Sequence, residues 1–409
     1  MSGTTTGLDA DVVVVGAGIV GTATARAVQE RLGVREVLVL DKEDAPARHQ
    51  TGRNSGVVHS GIYYAPGSAK ARLVKEGITR LAERCADWGV AYDRCGKLIV
   101  ATSTEELPRL EELARRGRAN GVPFDRLPGH RIPEVEPHAR GLAALHVRST
   151  AVVDYPGVVH HLAEELVDGG GGVRTGFRVR GIEVRGDTVE VRSDTGAVRA
   201  RWLVNCAGLH SDRVAWMAGA RTDVHIVPFR GEYQELAPGA VGLVRALVYP
   251  VPDPRWPFLG VHLTRGVDGS VHVGPNAVLA LGREHYGDPG DRPDVGDTRE
   301  LLGDRGLWHL ARRYGTTGAR ELVRSRSRRL LLADVRRLVP EVGPGDLLPA
   351  PAGIRAQAMT SAGELLDDFA FASSPRCVHV LNAPSPAATA SLAIGDEVAR
   401  RLGDLVAAP

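Results

Sequence analysis

The chain has 409 residues, 43% of them hydrophobic and 24% charged, a balance that suits a soluble globular protein of two or three domain-sized units. Its 51 Lys and Arg against 49 Asp and Glu leave a net charge of +2, too little to draw nucleic acid. Four widely spaced cysteines without a CxxC pair argue against a disulfide framework or a zinc site. No secretory signal and no apolar run of the ~20 residues a membrane span needs are visible, so a cytoplasmic protein is expected.

Residues 11–33, DVVVVGAGIVGTATARAVQERLG, read as a buried strand over Val12–Val15, a glycine turn, and a helix that stops at Gly33. Gly16, Gly18 and Gly21 fit the GxGxxG pattern. The first allows the tight turn, the second lets a pyrophosphate approach the backbone, and the third lets helix and strand pack closely. Free N–H groups and the helix dipole would then face the phosphates. A second strand, EVLVLDK, ends in Asp41, about 20 residues beyond Gly21, where the pattern wants an acid for ribose hydroxyls. That carboxylate would repel a 2′-phosphate, so FAD or NAD is favoured over NADP.

The next segment, HQTGRNSGVVHSGIYY (49–64), joins two histidines, an arginine and two tyrosines on glycine hinges. It leaves the domain beside the ribose-binding strand, and its glycines permit close backbone approach. Thr51, Arg53, Asn54 and Ser55 are therefore expected to meet the cofactor, with His59, Tyr63 and Tyr64 nearer its reactive ring. The bland alternative is a polar connection. His160 and His161 fall in a helical stretch and read as structural, since a metal site needs more ligands at matched spacing. No metal is expected.

Residues 171–206 alternate with period two and turn at RGD and DTG, a small meander beside the parallel sheet. RWLVNCAGLHSDRVAWMAG (201–219) is again strand, turn and helix, as if rejoining the first sheet. The run FLGVHLTR reads as a strand carrying His262 and Arg265. Residues 319–342 hold a dense basic cluster on a predicted helix, either a solvated face or a contact with an anionic membrane surface. The C-terminal CVHVLNAPSPAATASLAIGDEVARRL repeats strand, turn and helix, with the helix expected to open at Ser385-Pro386. A nucleotide domain built from three separated segments favours a flavin over a nicotinamide.

These residues carry a resemblance. Segments 49–77, VNCAGLHSD (204–212), VPFRGEYQEL (227–236), 249–280, AGIRAQ (352–357) and VLNAPSPAATASLAIGDEVA (380–399) span nearly the whole chain. They resemble the L-2-hydroxyglutarate oxidase/dehydrogenase family, within the D-amino-acid-oxidase-like FAD enzymes. Asp41 stands where those enzymes more often carry Glu, which keeps the carboxylate.

The resemblance implies an α/β fold: a Rossmann-like FAD-binding domain built from discontinuous segments, 1–90, 147–222 and 340–409. An α+β substrate domain with an antiparallel sheet, 91–146 and 223–339, would cap it. FAD would be held by Gly16, Gly18, Gly21, Asp41, Thr51, Arg53, Asn54, Ser55, Val179, Ala207, Gly208, Ser385, Pro386 and Ala387, with Val179 over the adenine. The implied reaction is oxidation of L-2-hydroxyglutarate, or a closely related 2-hydroxy acid, to the 2-oxo acid by hydride transfer to flavin N5, with dioxygen or a quinone-linked acceptor taking the electrons.

Such chemistry needs a base for the hydroxyl proton and a cation for the carboxylate. His59 and His262 are both plausible bases, and the sequence does not choose between them. Arg355 matches the arginine that similar enzymes use to grip the substrate carboxylate. Arg265, with Tyr63 and Tyr64, is the candidate for the second carboxylate. The alternatives are an amine or amino-acid oxidase on the same fold and a non-catalytic flavin-binding protein.

Overall fold

The computed structural model describes residues 7–253, 259–313, 315 and 327–407. The valine-rich strand Ala10–Val15 lies at the centre of the first sheet, buried on both faces, as parallel α/β strands are. It pairs in parallel with Val37–Leu40 on one side and with Gly196–Asn205 on the other. Gly172–Arg174 and Cys377–Asn382 extend the parallel set outward. The meander Val179–Arg185, Thr188–Ser193, Gly196–Asn205 continues the same eight-stranded sheet in antiparallel fashion, turning where RGD and DTG were expected to turn.

Helix Ile19–Leu32 buries Ala23, Ala25 and Ala27, small enough for the C-terminal helix Ser391–Ala407 to approach closely. At the contact, a Cβ on Gly395 would stand 2.7 Å from the Ala23 carbonyl oxygen. Gly33 ends the first helix in the left-handed conformation, as the sequence predicts.

The second sheet has nine strands. Near one edge, its long strand Val224–Leu236 pairs antiparallel with Leu347–Thr360 over nearly the full length of both. Val271–Gly274, His262–Arg265 and Leu247–Pro250 follow, and then Lys97–Ala101, Ala143–Val147 and Asp125–Pro128. The sheet departs from the expected antiparallel pattern at one pair, where Leu247–Pro250 runs parallel to Lys97–Ala101. A small third sheet, Val57–Val58, Ala151–Val153 and Tyr92–Asp93, sits between the two large ones in sequence and ties the 49–64 segment to the chain.

Two sequence expectations need correction. The expected nucleotide unit includes residues 340–360, yet Leu347–Thr360 belongs to the second sheet by its pairing with Val224–Leu236. Alternation alone cannot say which sheet a strand joins. The last helix starts at Ser391, not at Ser385. Residues 384–390 form turns closed by Ala387 N–H to Pro384 O and Ala390 N–H to Pro386 O. Two consecutive X-Pro steps hold Ala383 and Ser385 out of the helical region.

Part of the basic cluster, residues 319–326, lies outside the described residues. Its remainder forms helix Arg328–Leu338, which buries Val335 and Leu338 in the second sheet's core. Arg337 bonds Glu106 and Thr102 at 2.7 Å, and Arg336 bonds the Val342 carbonyl at 2.7 Å. No helix among the described residues is long and apolar enough to cross a membrane.

Candidate active site

A cavity of about 1340 Å³ runs between the two large sheets. From the nucleotide side it is lined by Gly16, Gly18, Asp41, Thr51, Arg53, Asn54, Ser55, Val179, Ala207 and Gly208. Ser385, Pro386 and Ala387 line it from the turn before the last helix. His59, Tyr63 and Tyr64 line it from the 49–64 segment, and Tyr233, Tyr249, His262 and Arg355 from the second sheet. The structure thus gathers almost every residue nominated from sequence around one space.

Gly21 and Arg265 do not line it. A Cβ on Gly21 would stand 1.8 Å from the Gly16 carbonyl oxygen, so this glycine serves helix–turn packing and touches no ligand space. Arg265 is three residues from His262 on a strand, and odd offsets point to opposite faces. It shares the face of Leu263, which is buried in the core beneath the sheet.

At the glycine turn, Gly16 has φ of +108°, and a Cβ there would meet the Cys206 carbonyl oxygen at 2.5 Å. Only glycine fits. Gly18 caps helix Ile19–Leu32 without a side-chain bond, leaving that helix end open to an anion. Thr51 Oγ1 accepts the Ile19 N–H at 3.0 Å, which fixes the 49–64 segment against the turn. Asp41 sits just past its strand and accepts Ala17 N–H at 2.7 Å and Glu43 N–H at 2.9 Å. These bonds hold its carboxylate at the cavity wall.

Asn54 folds back on its own segment. Its amide donates to Gln50 O and Thr51 O, and its Oδ1 accepts Gly56 N–H at 2.7 Å. Arg53 turns toward the second unit, bonding Asp288 at 2.8 Å with its guanidinium 4.2 Å from the centre of the Tyr286 ring. Tyr286 in turn bonds His49 Nδ1 at 2.8 Å, and Glu284 takes Lys42 at 2.7 Å and His210 at 2.8 Å. Residues 283–288 therefore form a clasp from the second unit onto the nucleotide side. Its root is a buried two-pronged ion pair, Arg283 to Asp212, at 2.5 and 2.9 Å. Sequence reading missed this clasp, because ion pairs between distant segments leave no local pattern.

His262 is buried and stacked on Tyr249, ring centres 4.0 Å apart. Its Nδ1 lies 2.8 Å from the Gly260 carbonyl, an acceptor only, so Nδ1 carries the proton and Nε2 holds the lone pair. Desolvation, opposed by that bond and aided by the charges of Arg355 and Lys97, pushes its pKa down to about 4. His59 donates its backbone N–H to Thr389 Oγ1 at 3.1 Å, and its Nε2 lies 3.4 Å from Ser385 Oγ. Part of its ring faces the cavity while the surrounding chain desolvates it. That desolvation comes first, followed by the charges of Lys97, His262, Arg355 and Lys70, and the pKa falls to about 3. Both imidazoles are neutral at pH 7 and so able to accept a proton.

Arg355 lies opposite Phe229 in the Val224–Leu236 pairing, on the cavity wall. Sequence reading also missed Lys97 and Tyr249. Lys97 heads the otherwise apolar strand KLIVA and is fully buried. A charged residue on the face of Ile99 and Ala101 was the available signal.

A dinucleotide fits this arrangement. The turn accepts no Cβ at Gly16, a carboxylate waits past the second strand, and the cavity exceeds what a small acid alone fills. Arg53 Nη1, His59 Nδ1 and Tyr63 Oη are buried polar atoms on its wall with no hydrogen-bond partner among the described residues. Such atoms are costly unless a ligand meets them.

The model of the FAD dependent oxidoreductase family matches residues 11–401. The chain is similar to the human mitochondrial L-2-hydroxyglutarate dehydrogenase, 42% identical over 96% of this chain and 89% of the relative. It is 42% identical to the L-2-hydroxyglutarate dehydrogenase of Indibacter alkaliphilus, over 96% of this chain and 98% of that one. The Escherichia coli K12 enzyme of the same name is 41% identical over 97% and 94%. Among solved structures, the FAD-bound L-alpha-glycerophosphate oxidase of Mycoplasma pneumoniae shares the fold, with a TM-score of 0.77 and 23% identity over 96% of this chain and 94% of that one. With the glycine turn, the acid and the two-sheet cavity in place, the chain belongs to the FAD dependent oxidoreductases, within the L-2-hydroxyglutarate dehydrogenase family.

Proposed function

We propose that this protein oxidises L-2-hydroxyglutarate to 2-oxoglutarate, using FAD held between the glycine turn and the second sheet. The observation that carries the reading is the meeting of Arg355 with two neutral imidazoles, His59 and His262, around one cavity. Similarity to the L-2-hydroxyglutarate dehydrogenases supports the choice of substrate. Bound FAD supplies a hydride acceptor at flavin N5. Arg355 grips the C1 carboxylate with its planar fork and orients the carbinol. We assign the base to His262, whose Nε2 takes the hydroxyl proton. Its tautomer is set by Gly260 and its ring plane by Tyr249. We read His59, whose Nε2 lies 3.4 Å from Ser385 Oγ, as a contact at the flavin edge. The nucleotide unit is read as holding FAD through Gly16, Gly18, Asp41, Thr51, Val179, Ala207, Gly208 and the turn Ser385–Pro386–Ala387.

An amino-acid oxidase on the same fold is the second reading, and solved glycine oxidases do share the architecture at 15–16% identity. An α-amino group is an ammonium at pH 7 and would also give up a proton to a neutral imidazole. The histidines therefore serve either substrate, and similarity to the L-2-hydroxyglutarate dehydrogenases favours the hydroxy acid. Reoxidation is assigned to dioxygen or a quinone-linked acceptor. Anaerobic bleaching of the purified flavoprotein by a panel of 2-hydroxy and 2-amino acids tests the reading. Bleaching by an amino acid and not by L-2-hydroxyglutarate would overturn it. Oxygen uptake in the same preparation separates the two acceptors, and co-sedimentation with anionic vesicles tests whether the basic 319–342 segment meets a membrane.

A further inference from the structure

Lys97 is the first residue of strand Lys97–Ala101, and its side chain is fully buried. Its ammonium nitrogen has no hydrogen-bond partner among the described residues. The nitrogen lies 4.6 Å from the centre of the Tyr63 ring and 4.9 Å from that of Tyr249. Both rings line the cavity, and Tyr63 Oη is itself buried without a partner. Tyr249 Oη reaches Thr264 Oγ1 at 3.4 Å, and its ring carries the stacked His262. A lysine is thus held one aromatic ring behind the wall that bears the proposed base.

Alternation explains the placement. Leu98 and Val100 face the core that receives helix Arg328–Leu338, while Ile99 and Ala101 pack with Ile62 and Tyr63. Lys97 falls on the second face, toward the 49–64 segment. A buried ammonium without an anion is costly, and sequences seldom retain one without use. The aromatic faces relieve part of that cost through their quadrupoles. They leave the positive charge uncompensated.

Resting on the reading given above, we propose that Lys97, acting through Tyr63 and Tyr249, is the positioning residue that selects a substrate with a second carboxylate. One carboxylate belongs to Arg355. The other accepts a hydrogen bond from the partnerless Tyr63 hydroxyl, and the Lys97 charge behind the ring strengthens that bond. Arg265, nominated from sequence for this task, faces away from the cavity. Of the cations that line the wall, Lys70 bonds Asp367 at 3.0 Å, Arg109 pairs with Asp253 at 3.2 Å, Arg53 bonds Asp288 at 2.8 Å and Arg116 donates to the Tyr63 carbonyl at 2.8 Å. Burial pushes the Lys97 amine down to about 7, so a carboxylate arriving nearby would hold its proton on.

The test compares L-2-hydroxyglutarate with L-2-hydroxypentanoate, which has the same chain length and one carboxylate. Anaerobic flavin reduction by each is measured for the wild-type holoenzyme and for Lys97→Met, Lys97→Arg and Tyr63→Phe. The expected result is a fall of tenfold or more in the ratio of kcat/KM for the diacid to that for the monoacid in Lys97→Met. That fall should lie in the KM for the diacid, reappear in Tyr63→Phe, and be at least partly reversed in Lys97→Arg. Flavin content and the unfolding temperature report whether each variant folds, and the ratio is read only within folded holoenzyme. If Lys97→Met does not fold, Tyr63→Phe decides alone, since it removes one oxygen and keeps the ring. An unchanged ratio in the folded variants overturns the proposal while leaving the hydroxy-acid reading intact. Failure of the wild-type flavin to bleach with either acid overturns that reading and the proposal with it.

Discussion

His262 lies stacked on Tyr249, with ring centres 4.0 Å apart and planes inclined by 29°, and its Nδ1 is 2.8 Å from the Gly260 carbonyl. Two constraints thus set one imidazole: a ring face fixes its plane and a carbonyl fixes its tautomer. His59 has only weaker restraints, its Nε2 lying 3.4 Å from a rotatable hydroxyl. A base must present its lone pair in one direction to be efficient. We expect His262→Ala to slow flavin reduction by L-2-hydroxyglutarate by ~10²-fold or more, the usual scale for losing a positioned base. His59→Ala should change reduction less and shift flavin absorption or affinity instead. Rapid mixing under anaerobic conditions separates these outcomes. The reverse ranking would move the base to His59.

The glycine turn offers a sharper contrast than its pattern suggested. A Cβ on Gly18 would meet only Thr51 Oγ1, at 3.3 Å, so the chain itself accepts a side chain there. Gly18→Val should therefore fold, yet purify without yellow colour, because the branched group fills the space a pyrophosphate enters. Gly21→Val should fail to fold, since its Cβ would overlap the Gly16 carbonyl. Circular dichroism and flavin absorbance together check both. A Gly18→Val protein with full flavin content would place the dinucleotide elsewhere.

Arg355→Lys should raise KM for L-2-hydroxyglutarate by about 10- to 100-fold, the equivalent of one charge-assisted hydrogen bond, while flavin content stays normal. A point charge replaces the planar fork, so the carboxylate loses its second bond. Steady-state kinetics of the holoenzyme decide it. An unchanged KM would mean that the substrate carboxylate is held by another group.

What the sequence made legible was local. The fingerprint from Val12 to Asp41 combines a strand, a turn, a helix and an acid within one short stretch, and each signal has its own physical cause. The 49–64 segment announced itself because polar and aromatic groups on glycine hinges have no place in a core. The contributions that escaped detection come from pairings between distant segments. Leu347–Thr360 has an ordinary strand pattern, and only its partner Val224–Leu236 reveals which sheet it joins. Lys97 shares the strand face of Ile99 and Ala101, a local sign of burial, but only the fold shows that Tyr63 and Tyr249, far apart in the chain, close over it. Arg265 erred through a rule that was available: three residues along a strand is the wrong face.

The clasp at residues 283–288 leads to a prediction about cofactor retention. Tyr286 holds His49 through its hydroxyl and Arg53 through its ring, so Tyr286→Ala removes one contact from each of two residues of the cofactor-facing segment, leaving Arg53 on Asp288 and His49 on Glu43. FAD should then dissociate at least several-fold faster, with the rate of flavin reduction in freshly loaded enzyme close to normal. Recovery of FAD fluorescence after dilution measures the release. Equal release rates would make the clasp a contact between units with no hold on the cofactor.

The last prediction concerns acid. Burial lowers the pKa of His262 and His379 to about 4 and of His59 to about 3, in each case with desolvation as the first cause. In the unfolded chain all three titrate near 6.5. Between pH ~6.5 and ~4 the unfolded state therefore binds more protons than the folded one, and stability must fall as pH falls. Above ~6.5 these groups are neutral in both states and add no slope. His379 isolates the effect because it stands in the first sheet, with Nδ1 3.4 Å from Asn205 Nδ2 and Nε2 3.0 Å from Ser374 Oγ. The Asn205 amide donates, so Nδ1 accepts and Nε2 carries the proton. A neutral ring satisfies both bonds. His379→Gln keeps a donor and an acceptor but removes the titration. Denaturant unfolding at several pH values from 7 to 4.5 should show the wild-type stability falling with acid. In the variant the slope should be shallower by about one proton, roughly 1.4 kcal/mol per pH unit. Identical slopes would mean that His379 is already protonated in the folded protein, contrary to the bonding that holds it.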